Sequence, residues 1–162
     1  MTKKLTFCSL MAVFGILSLI LANFLQSNTI FLYLLSTMFT YICVEEHGAK
    51  YGLLTYAVIT LAGFMLVANK ISIVAYALVV GYYPVIKHII EHLNVNNVLK
   101  RVIKIAFILI VSSIAFVLLK QMVTFDLPVG LIFALGTVIF VVYDVVLTMG
   151  IKFYVLRLRN LR

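Results

Sequence analysis

Six apolar runs, separated by short polar stretches, leave this chain few folds to choose from. They lie at about 5–24, 30–44, 51–68, 71–86, 102–119 and 129–150. A helix needs about 20 apolar residues to cross the hydrocarbon core of a bilayer. Six such spans would use roughly 120 of the 162 residues, which leaves no room for a soluble domain. With 65% hydrophobic residues and a mean hydropathy of +1.21, lipid has to act as solvent for much of the surface. The expected fold is therefore all-α, a single domain over 1–162 built as a polytopic integral membrane bundle of six transmembrane helices.

The formal net charge of +8 resembles a nucleic-acid signal only until its distribution is considered. With the N-terminus inside, eleven of the thirteen Lys and Arg residues fall on cytoplasmic segments, and only Lys70 and Lys120 fall outside. That asymmetry is the positive-inside pattern of a multi-pass protein. It predicts cytoplasmic N- and C-termini in the cell (cytoplasmic) membrane, with anionic lipid as a partner and no nucleic acid.

Within the first span the basic start Met1–Lys4 also suits a signal peptide, but the run is long and Leu21-Ala22-Asn23 gives no convincing cleavage site. Cys8, Ala12, Gly15 and Ala22 form a stripe of small residues, the pattern that lets helices approach closely in lipid. It serves either packing within this chain or docking of a partner subunit. Cys8 and Cys43 fall inside spans and read as small buried residues, not as a disulfide framework. Residues 45–50 read as a charged loop, and Asn69-Lys70 as a minimal turn. Pro84 removes a backbone donor and should bend the lower end of the fourth span. Asp126 is placed to cap the sixth helix, with Pro128 in its first turn.

Six short spans in about 160 residues with both ends inside is similar to the layout of the substrate-binding S components of energy-coupling-factor (ECF) vitamin transporters. The segment Glu46–Ala57 resembles the glycine-bearing turn that often joins the second and third spans of that family. Cys8 and Ala12, at i and i+4, resemble its A-x-x-x-A surface, with Cys8 standing where alanine is expected. The resemblance implies a small vitamin-like solute bound in a pocket on the outer face. It also implies a transmembrane coupling subunit and two ATPases as partners. The outer polar residues Asn23, Gln26, Asn28, Asn69, Lys70, Gln121 and Asp126 are the candidate ligand contacts. On the opposite side, Cys8, Ala12, Gly15, Lys87, His88, Glu91 and Asp144 are the candidate docking residues.

Two enzyme-like patterns compete with that reading. His88-Ile-Ile-Glu91-His92 matches H-x-x-E-H, in which two imidazoles four residues apart hold zinc and the glutamate acts as base. Glu45, Glu46, His47 or Asp144 would have to supply a third ligand. The same pattern arises readily at a polar membrane boundary, where histidines meet lipid headgroups. Glu45, Glu46 and Lys50 resemble the E-E-x-x-x-R signature of intramembrane CAAX proteases, but lysine replaces the arginine and the companion motifs are absent. Asp144 lies about 24 Å along the last helix, at a depth close to Lys87 and Lys104. An ionisable residue there is either paired or functional. No catalysis, metal, nucleotide or other cofactor is expected. A non-catalytic accessory or scaffold membrane protein is the remaining alternative.

Overall fold

Backbone amides in hydrocarbon have no water to turn to, so each apolar run has to satisfy its own hydrogen bonds. A computed structural model of the protein describes residues 2–25, 29–93, 96, 99–100, 102–107, 109–111, 113 and 129–158, and every regular element among them is helical. The helices are α1 (Thr2–Phe24), α2 (Thr29–His47), α3 (Ala49–Leu66), α4 (Lys70–Glu91), α5 (Val102–Val111) and α6 (Val129–Phe153). A wide π turn, Tyr154–Leu158, continues α6. Among the described residues five helical stretches are long and apolar enough to cross a membrane: α1, α2, α3, α4 and Gly136–Leu156. Most of the second half of the expected fifth span lies outside the described residues.

The distribution of side chains is compatible with a membrane protein. Leu17, Leu21, Phe31, Leu61, Met65, Val142 and Met149 point outward, while Ser36, Thr37, Thr40, Thr55 and Lys87 are enclosed. At the centre stands α2, which packs against α1, α3, α4 and α6. Tyr41, Val44, Tyr83, Phe140, Tyr143 and Leu147 form one core, and Ala12, Leu19, Ile59, Ile73 and Tyr76 form another.

The small-residue stripe of α1 faces inward. Cys8, Ala12 and Ala22 are at most 4% exposed, and a Cβ on Gly15 would lie 2.5 Å from Ile59 Cδ1. The chain's own helices cover the surface expected to dock a partner through Cys8, Ala12 and Gly15. The two cysteines also depart from expectation. Cys8 and Cys43 are joined in a disulfide, with Cα atoms 5.5 Å apart, and Thr55 Oγ1 donates to Cys43 Sγ at 3.2 Å. Close packing of α1 on α2 brings the two small side chains face to face, which their separation in sequence concealed.

Two further boundaries differ from the sequence reading. The expected charged loop at 45–50 is almost wholly helical, because α2 runs to His47 and α3 begins at Ala49. One residue makes the turn, Gly48, at φ 90°, where a side chain would be strained. The fourth helix runs on past Ile86 to Glu91, and its irregularity precedes Pro84. Tyr76–Gly81 forms a π turn, and Pro84 sits in the first turn of the regular helix that follows, where its missing N–H costs nothing.

Candidate functional site

Helical spacing gathers the ionisable residues at one end of the bundle. Tyr83, Lys87 and Glu91 repeat every four residues and share one face of α4. Opposite them stand Tyr41 and Glu45 on α2 and Asp144 and Thr148 on α6, each pair again four apart.

Lys87 is 0% exposed. Its ammonium donates to Asp144 Oδ1 at 2.5 Å, to the Asp144 carbonyl at 3.0 Å and to Thr148 Oγ1 at 2.5 Å. An ammonium has three donors, so Lys87 is saturated. Tyr83 adds a fourth partner to the cluster by donating to Asp144 Oδ1 at 2.5 Å. The rings of Tyr41 and Tyr83 both lie 5.9 Å from the ammonium, within cation–π reach. A buried charge is tolerated only when paired and fully hydrogen-bonded, and this one is. The expected Lys–Asp pair is therefore present, tying α4 to α6. Its lysine is sealed inside the bundle and offers no surface to a docking partner.

Glu91 is held from two sides. Tyr41 donates to Oε2 at 3.1 Å and Lys104 to Oε1 at 2.6 Å, which ties α2, α4 and α5 together. Lys104 thus pairs with Glu91 and not with Asp144. His88 instead meets Glu45, Nδ1 to Oε2 at 3.2 Å. His92 Nδ1 reaches back 2.9 Å to the His88 carbonyl, and the two imidazole rings lie 4.0 Å apart. The three members of the H-x-x-E-H pattern consequently separate, with both histidines on one side and Glu91 on another. Among the described residues no three His, Cys, Asp or Glu side chains converge as a metal site would require. Tyr154 donates to Glu46 at 3.4 Å and closes the outermost layer of this end.

The opposite end offers less. Asn69 is the N-cap of α4 and accepts from Ser72 N at 3.2 Å. Lys70 donates to the carbonyls of Phe64 and Val67, completing the end of α3. Both expected ligand contacts therefore serve helix ends. Asn23 is half-buried near the end of α1, and Gln26, Asn28, Gln121 and Asp126 lie outside the described residues.

Between the two ends lies a group that the sequence did not signal. In the π turn of α4, the Tyr56 hydroxyl donates to the Ala77 carbonyl at 3.0 Å and the Tyr143 hydroxyl to the Val80 carbonyl at 3.1 Å. Tyr76 and Ser36 pair at 3.0 Å in the interior. One turn beyond Tyr56 on α3, Thr60 Oγ1 is buried and has no hydrogen-bond partner among the described residues. Tyrosines in apolar spans look alike whether they anchor at an interface or line an interior, so spacing alone gives no hint of these roles. Compared with known proteins, the chain matches no family model, no curated protein and no solved structure.

Proposed function

We propose that the chain is a non-catalytic, six-span membrane subunit that binds a small solute between its helices, resembling the S components of ECF importers. Both termini lie in the cytoplasm in this reading, and the ionic cluster marks the cytoplasmic end. That cluster closes one end of the bundle with matched charges and leaves the other end for solute entry. The coupling subunit and its ATPases then dock on the cytoplasmic rim, through exposed groups such as His92 and not through the enclosed Lys87.

The observation that carries the reading is Thr60. Buried polar atoms in folded proteins are nearly always hydrogen-bonded, and an orphan marks either a missing partner or a place for a ligand. Thr60 lies about 16 Å along α3 from the charged end, one turn beyond Tyr56, whose hydroxyl bonds the π turn of α4. An apolar, aromatic wall with few polar groups is the usual make-up of a small-molecule pocket.

The test is a thermal-shift screen of the full chain in lipid nanodiscs against vitamins and related small solutes. A solute that stabilises the protein should lose roughly tenfold in affinity on Thr60→Val, the worth of one good hydrogen bond. Co-expression with an ECF module should co-purify its membrane subunit. No stabilising solute and no co-purifying module would sink this reading in favour of a scaffold role.

A further inference from the structure

Both histidines at the end of α4 have their tautomer set by what they touch. The Glu45 carboxylate beside His88 Nδ1 and the carbonyl oxygen beside His92 Nδ1 only accept hydrogen bonds. Each Nδ1 must therefore carry the proton, and each neutral ring keeps its lone pair on Nε2. No described residue bonds either Nε2. The ring centroids lie 4.0 Å apart on successive turns, with the ring planes tilted by 36°. Metal-bound histidines characteristically give their second ring nitrogen to a carboxylate or a backbone carbonyl, and these two do both. His92 is exposed and the His88 side chain is 17% exposed, so a hydrated ion can reach them.

We infer that His88 and His92 form a two-imidazole site for a borderline divalent cation such as Zn2+, Ni2+ or Cu2+, ligated through Nε2 of each ring. Water completes the coordination. Glu45 orients His88 from behind, and Glu91 takes no part because Tyr41 and Lys104 occupy its two oxygens. The site is one of binding and not of hydrolysis, since the residue that would act as base is turned away. It goes beyond the proposed solute function and stands independently of it.

The site is tested by calorimetric titration of the chelator-stripped, full-length protein in detergent with Zn2+ and Ni2+. About one equivalent should bind, and His92→Gln, a change at an exposed position, should abolish that binding with no change in melting temperature. Glu45→Gln should weaken it about 10-fold to 100-fold, as loss of a second partner does at such sites. Glu91→Gln should leave the affinity within a factor of about two, a difference worth less than RT in free energy. Retention of the ion by the His92→Gln protein overturns the proposal. So does its loss in a folded Glu91→Gln protein, which would restore the H-x-x-E-H arrangement, and so does the absence of any binding by the parent chain.

Discussion

Lys87 concentrates the electrostatic problem of this protein in one side chain. It is fully enclosed, about 25 Å along α4 from Lys70, and every donor of its ammonium is matched by Asp144 or Thr148. Replacing it with methionine would strand the Asp144 carboxylate, a loss of about 3–5 kcal/mol for breaking one side of a buried pair. Lys87→Met should thus lower the melting temperature sharply in detergent. The double change Lys87→Met with Asp144→Leu should recover much of the loss, and a double variant no more stable than the single would refute this account. The pairing was legible in the sequence because both residues sit at the same depth of their spans. The aromatic cage of Tyr41 and Tyr83 was not, since aromatic residues are equally at home at a lipid interface.

At the scale of elements, the π turn at Tyr76–Gly81 shapes α4 more than Pro84 does. Widening the turn frees carbonyls from their usual partners, and Tyr56 and Tyr143 supply hydroxyls from α3 and α6. Tyr143→Phe should therefore cost about 1 kcal/mol, the net worth of one buried hydrogen bond. Gly81 has no such slack: a Cβ there would lie 2.7 Å from Tyr56 Cε2 and 3.0 Å from Tyr76 Cε1. Gly81→Val should cost about 1–3 kcal/mol through overpacking. Equilibrium unfolding in mixed detergent checks both, and equal stability of all three proteins would show that the turn is not held in this way. Proline was the visible signal in this stretch. The irregularity begins upstream of it, because interhelical hydroxyls can satisfy a widened turn without any local sequence mark.

On the scale of the whole molecule, apolar patterning located the five long helices among the described residues, since a long apolar run has to satisfy its own backbone hydrogen bonds. The connections were less legible: a single glycine replaces the expected charged loop between α2 and α3. Interhelical partners were harder still, as the Cys8–Cys43 bridge shows. In protein denatured without reductant, neither cysteine should react with a maleimide, and after reduction both should; labelling before reduction would contradict the bridge. The π turn carries a consequence for the architecture at large. A π turn holds one residue more than its regular counterpart. Each residue advances a helix by about 100° and about 1.5 Å. An extra residue in a regular helix would turn the lower half of α4 by that much, but the wide turn at Tyr76–Gly81 absorbs it, so removing one residue there would restore a regular turn and leave Lys87 in phase with Asp144. The wide turn is slack that absorbs one residue while the charged half of the helix stays aligned with its counter-charges.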